Sequence, residues 1–176
     1  MRRRGFPHET VATGGTFDIL HKGHERLLST AFDLGKTVYI GVTSDKLVSK
    51  LGKSHSVKPY SSRVRNLRSF LKSRGWLKRA RLVELKDPFG PSASRRDLEA
   101  LVVSQDTESN GRKVNSLRLL QGLPPLRLYV VDLMKAEDGK PISASRIRRD
   151  EIDEEGKLDH ARVTSARTKH NRTLVG

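Results

Sequence analysis

Apolar residues in this chain fall in short blocks separated by longer amphipathic stretches. Val11-Ala12-Thr13-Gly14-Gly15 reads as a buried strand broken by two glycines, and Leu27, Leu28, Ala31, Phe32 and Leu34 then recur at helical spacing. Thr37–Val42 predicts a second strand, and Val64, Leu67, Phe70 and Leu71 mark a second amphipathic helix ending near Gly75. A third strand is expected over Arg81–Leu85 and a fourth over Leu98–Val103. Val114, Leu117 and Leu120 fall on one face of a further helix, Leu128–Leu133 predicts a fifth strand, and a last helix starts after Ile142. No internal repeat or low-complexity block interrupts this order.

Five strands alternating with helices predict an α/β fold: a Rossmann-like five-stranded parallel sheet with helices on both faces, because parallel strands buried on two sides read as continuous apolar runs. In such sheets ligands bind beyond the carboxyl ends of the strands, where the strand order reverses. The first strand-to-helix loop is therefore the place to look for chemistry. The chain has 176 residues, enough for one complete core. Residues 1–157 are expected to form that domain, and residues 158–176, which lack apolar periodicity, a basic mobile tail.

Composition changes this picture only in places. The formal charge is +15, but about half of it sits on the arginines at 2–4 and the stretch 157–176, leaving +8 on residues 5–156. That is enough to attract ATP, and enough to bind RNA weakly at low salt. Charge alone does not separate those partners. The interleaved aromatics of a base-stacking surface are missing, so no specific nucleic acid is expected. The absence of cysteine excludes disulfides, thiolate metal sites and thiol nucleophiles. No apolar run approaches the roughly 20 residues that span a bilayer, so a cytoplasmic protein without membrane contact is the expectation. The oligomeric state stays open, with a monomer as the default.

Gly14-Gly15-Thr16-Phe17-Asp18-Ile19-Leu20-His21-Lys22-Gly23-His24 places two histidines three residues apart, directly after a strand and at a helix start. Glycines allow close approach of the backbone to a ligand, and the free amides and dipole of a helix start favour an anion. Histidines at i and i+3 share a face, so both imidazoles can reach one phosphate as donors. They could also be caps, core-edge residues or zinc ligands, although no third ligand lies nearby. No protein-held metal is expected.

The run from Gly14 to His24 resembles the first motif of the HxGH nucleotidyltransferases, and Pro141-Ile142-Ser143-Ala144-Ser145-Arg146-Ile147-Arg148 resembles their second, the ISSTxxR motif. Alone, a Ser-Ala-Ser-Arg stretch would be an ordinary helix cap. Three further stretches are similar to the phosphopantetheine adenylyltransferases of archaea and the matching domain of eukaryotic CoA synthase: Lys58–Val64, Asp87–Pro91 and Leu101–Gly111. The likeness covers residues 8–152. Gln105 stands where relatives usually carry glutamate, and Ser145 where they carry threonine. As a Pro- and Gly-rich segment, Asp87–Pro91 could equally be a rigid turn.

The resemblance implies transfer of AMP from ATP to 4'-phosphopantetheine by direct in-line attack, with dephospho-CoA and pyrophosphate as products. It implies catalytic roles for His24, Thr16 and Lys50, with His24 on the α-phosphate. ATP would be held by Gly15, Thr16, Phe17, His21, His24, Ser143, Ala144, Ser145, Arg146 and Arg148. The acceptor would be held by Thr16, Lys46, Lys50, Asp87 and Arg112, with the choice between Lys46 and Lys50 left open. Mg²⁺ is expected to arrive with ATP and keep mostly water ligands. Nicotinamide mononucleotide, FMN or a cytidylyl acceptor would use the same two motifs.

Overall fold

The computed structural model describes residues 5–52 and 57–159, so the part of the expected tail from 160 onward lies outside the described residues. Five strands are present: β1 (His8–Gly15), β2 (Gly35–Thr43), β3 (Ala80–Leu85), β4 (Ala100–Ser104) and β5 (Arg127–Val131). All pair in parallel, in the order β3-β2-β1-β4-β5. The helices are α1 (Lys22–Leu34), α2 (Asp45–Lys50), α3 (Tyr60–Ser73), α4 (Glu108–Leu120) and α5 (Ala144–Arg148). This is the expected Rossmann-like parallel sheet, and the order reverses between β1 and β4.

Alternation along the strands sorts side chains to two faces. Val11, Val38, Ile40, Val42, Ala100 and Val102 pack with Leu28, Ala31 and Phe32 of α1 and with Leu67 and Leu71 of α3. On the other face Ala12, Leu101 and Val103 pack with Val114 of α4 and, at their edge, with Tyr39 and Phe89. Helices thus cover both faces, as the apolar runs predict.

Three expectations shift. Both edge strands, β3 and β5, are only half-buried, since each has a single neighbour and a thinner helical cover. In α4 the buried positions are Gly111, Val114 and Arg118, whereas Leu120 is 85 % exposed. The apolar spacing of Val114, Leu117 and Leu120 therefore misplaces the inward face by a fraction of a turn. The short helix α2, capped by Ser44 through Leu47 N–H at 3.1 Å, lies in a stretch read as loop.

After β5 the chain forms a small folded unit around Ala136, Ile142 and Ile152, against which Leu158 packs. Single antiparallel bridges, Lys135 to Pro141 and Ile152 to Leu158, hold it. This unit returns to the start of α1. Lys22 N–H donates to the Glu154 carbonyl at 3.0 Å, and Lys22 Nζ pairs with Glu155 at 3.0 Å.

Candidate active site

The cleft at the carboxyl ends of the strands has a volume of about 860 Å³. It contains the loop after β1, the start of α1, the loop after β4 and the start of α5. Gly15, Thr16, Phe17, His21 and His24 line it from one side, and Ser143, Ala144, Ser145 and Arg148 from another. The two motifs, some 120 residues apart in sequence, therefore meet in one space.

Local chemistry explains the shape of the first loop. His21 is the N-cap of α1, and its Nδ1 accepts from Gly23 N–H at 3.1 Å. That bond leaves the proton of a neutral ring on Nε2, which is then free to donate. The rings of His21 and His24 lie 3.9 Å apart, and His24 also tilts against Phe17 at 5.1 Å. Phe17 is fully buried and takes a left-handed backbone conformation, φ 51°, in a region an aromatic residue rarely occupies. Its ring is the floor under His24.

Both imidazoles are held neutral. Burial pushes the pKa of His21 down to about 4. His24 falls to about 3, first through burial and then through the nearby His21 charge, with the Ile19 backbone acting weakly in the opposite direction. Among the described residues no hydrogen bond of good geometry reaches buried His24 Nδ1.

Asp18 ties the two motifs together. It is 4 % exposed, its Oδ1 accepts from Lys58 N–H at 2.7 Å, and its Oδ2 accepts from Arg148 Nη2 at 2.5 Å and Nε at 3.2 Å. The sequence reading gave Asp18 no role. Its position three residues before His21 was visible, but not its reach across 130 residues of chain.

Not every expected contact is brought to the cleft. Arg146 is buried elsewhere, pairing with Asp138 at 2.6 Å and Glu151 at 2.9 Å and donating to the Pro141 carbonyl at 3.1 Å. It braces the unit behind α5. Asp87 accepts at Oδ1 from Phe89 N–H and Gly90 N–H, at 2.9 and 2.8 Å, and so forms the turn; Pro88 and Phe89, not Asp87, line the cleft. Arg112 is exposed and pairs with Glu108 one helical turn away. Its neighbour Lys113 lines the cleft instead. Lys46 and Lys50 lie on a separate surface depression with Tyr60, Glu84 and Lys86. Helix α5 has only five residues, too few for a strong macrodipole, and the Ser143 hydroxyl already caps it at Arg146 N–H, 3.4 Å.

The cleft also extends to the α4 face of the sheet. There Ala12, Leu101 and Val103 from the strands and Val114 from α4 make an apolar wall, and Lys113 lines the same cleft. Among the described residues no group of three or more His, Cys, Asp or Glu could hold a metal ion. No helix among them is long and apolar enough to cross a membrane.

Residues 12–150 match the cytidylyltransferase-like family model. The chain is 42 % identical over 158 residues to the phosphopantetheine adenylyltransferase of Methanothermobacter thermautotrophicus, covering 90 % of this chain and 92 % of the relative. It is 44 % identical over 144 residues to the phosphopantetheine adenylyltransferase of Methanopyrus kandleri, covering 82 % and 90 %. Among solved structures, a protein of unknown function from Archaeoglobus fulgidus superposes with a TM-score of 0.63 at 34 % identity, over 70 % of this chain and 89 % of that one. The bifunctional NMN adenylyltransferase/ADP ribose pyrophosphatase of Francisella tularensis gives 0.55 at 18 % identity, over 81 % of this chain and 41 % of that one, a likeness of fold.

Proposed function

Because the chain belongs to the cytidylyltransferase-like family, and within it to the phosphopantetheine adenylyltransferases, we propose that it transfers the adenylyl group of ATP to 4'-phosphopantetheine, giving dephospho-CoA and pyrophosphate. The observation that carries this reading is the convergence of His21, His24, Ser143, Ser145 and Arg148 on one cleft that also has an apolar arm. A triphosphate needs the first set of groups, and a pantetheine chain needs the second.

An acceptor phosphate oxygen attacks the α-phosphorus of ATP as the bond to pyrophosphate breaks, so no protein nucleophile is required. The residues then act by positioning and by stabilising charge on the α-phosphate. Neutral His24 and the Nε2–H of His21 are donors to those oxygens. Thr16 holds the acceptor phosphate between the two compartments. Ser143, Ser145 and Arg148 take the β- and γ-phosphates, with Arg148 oriented by Asp18. The wall of Leu101, Val103 and Val114 covers the pantetheine arm, and Lys113 sits where a polar group on that arm could be met.

Mg²⁺ enters with ATP as part of the substrate. The donor set suits that role better than a protein-held ion, since both oxygens of Asp18 are already bonded within the protein.

Release of pyrophosphate should be followed with ATP or CTP and each of 4'-phosphopantetheine, nicotinamide mononucleotide and FMN. Turnover is expected with ATP and 4'-phosphopantetheine, at least about 100-fold above every other pair, since a hydrogen-bonded site rejects a mismatched partner strongly. Preference for any other pair overturns the assignment.

A further inference from the structure

Arg63 is 0 % exposed, at the centre of the cleft's supporting structure rather than in its lining. Arginine is almost never buried unless its charge and donors are satisfied. Here Nε donates to the Lys58 carbonyl at 2.8 Å, Nη1 to the Thr16 carbonyl at 2.9 Å and to Thr43 Oγ1 at 3.3 Å, and Nη2 to Asp45 Oδ1 at 2.9 Å. Its one carboxylate partner among the described residues, Asp45, has a side chain that is 61 % exposed. An exposed carboxylate screened by water is weak compensation for a buried guanidinium. Main-chain oxygens of the two loops bordering the nucleotide site therefore do much of the work.

The Thr16 carbonyl belongs to the peptide that joins Thr16 to Phe17. Among the described residues no peptide bond is cis. In a planar trans peptide the N–H points opposite to the C=O. Fixing the Thr16 carbonyl on Arg63 therefore turns the Phe17 N–H away from Arg63. Thr16 and Phe17 both line the cleft. A cation on the carbonyl also polarises the amide, making its N–H a stronger donor. Phe17, which follows this peptide, has a left-handed φ of 51°, and the bond from Arg63 to the Thr16 carbonyl is one of the contacts that fix the chain there.

We propose that Arg63 is a positioning residue for nucleotidyl transfer, setting and polarising the Thr16–Phe17 peptide so that the positive end of its dipole, buried in the cleft wall, faces the transferred phosphate. Thr43 and the Lys58 carbonyl hold the guanidinium in place for that task. The inference rests on the adenylyl-transfer reading of the cleft.

The test uses uniformly ¹⁵N-labelled full-length protein titrated with pyrophosphate and with MgATP, in the wild type, in Arg63→Lys and in Asp45→Asn. In the wild type the Phe17 amide resonance is expected to shift on binding, together with those of His24, Ser143 and Arg148. Lysine keeps the charge but cannot bond Thr16, Lys58 and Asp45 together. Folded Arg63→Lys should lose about 100-fold in kcat, the size of a lost oxyanion donor, with KM for the acceptor changed less than about threefold and with the Phe17 shift abolished. Asp45→Asn keeps the bond to Thr16 and should keep kcat within about threefold. Shifts at His24, Ser143 and Arg148 without one at Phe17 in the wild type overturn the proposal, even if Arg63→Lys does not fold. So does a folded Arg63→Lys with near-normal kcat. No shift at any of the four positions overturns the adenylyl-transfer reading itself.

Discussion

Acidification from pH 7 to pH 5 should destabilise the ligand-free protein steeply, through His21 and His24. Their folded pKa values are about 4 and about 3, against 6.5 for an exposed imidazole. Between these values the unfolded chain holds protons that the folded chain lacks, so stability falls as pH falls. Each histidine contributes about 1.4 kcal/mol per pH unit once the pH is well below 6.5. Down to pH 5 that amounts to roughly 2 kcal/mol per histidine. The pair together would then remove on the order of 4 kcal/mol, a large part of the stability of a marginal domain. Hydrogen bonds from Arg149 and Arg146 hold Glu151 below the ordinary carboxylate value, and Arg95 does the same for Asp97, so these acids titrate beneath the window. Urea unfolding followed by circular dichroism at half-unit steps from pH 7 to 5 measures the slope, with the double variant His21→Asn, His24→Asn as the reference. A double variant that keeps the wild-type slope would show that the two imidazoles are not buried neutral, and the reasoning would fail. Saturating MgATP should flatten the slope, since a bound polyanion favours the imidazolium.

Four further outcomes follow from the same geometry. His24→Ala should lower kcat by at least about two orders of magnitude with an unchanged urea midpoint at pH 7.5, and near-normal turnover would remove His24 from the reaction. Asp18→Asn leaves Arg148 without its 2.5 Å ion pair; KM for ATP should rise about tenfold with a smaller change in kcat, and an equal fall in kcat alone would contradict the clamp. Arg118→Met strips donors from the Ser92, Arg95 and Pro124 carbonyls and should cost about 3–5 kcal/mol, read as a fall in Tm of roughly 10 °C; a fall under about 2 °C would mean those carbonyls find other partners. Finally, KM for ATP should change only a few-fold between about 50 and 200 mM salt, because among the described residues Lys113 and Arg148 alone of the Lys and Arg side chains line the cleft; a steep dependence would put the binding charge on the surface lysines.

The fold was legible because it rests on apolar period. Each predicted strand has its observed counterpart within a few residues, and the doubly covered β1, β2 and β4 have the continuous apolar runs that parallel pairing requires. The edge strands were legible as strands but not as edges, since partial exposure depends on neighbours the sequence does not name. Helix α2 was missed because six residues, with Leu47 and Val48 as its only buried side chains, carry too little period to be seen. The face of α4 was misread for a different reason. Its inward position 118 is an arginine, and a pattern reading counts arginine as polar.

That last error bears on how the site could be read at all. The histidines, serines and Arg148 were found because the chemistry they do is local: a donor at a loop is recognisable from its type and its neighbours. Arg63, Arg118 and Arg146 act through carbonyls and carboxylates that lie 5 to 47 residues away in the chain. In the sequence they are part of a net positive charge that suggests a field over the surface. In the structure they are inside it, with donors on backbone carbonyls that border or brace the cleft. Such bonds suit a reaction that joins two anions without a nucleophile. What such a reaction needs is dipoles that do not move when charge develops, and a guanidinium locked to a carbonyl fixes the amide on the other side of that peptide.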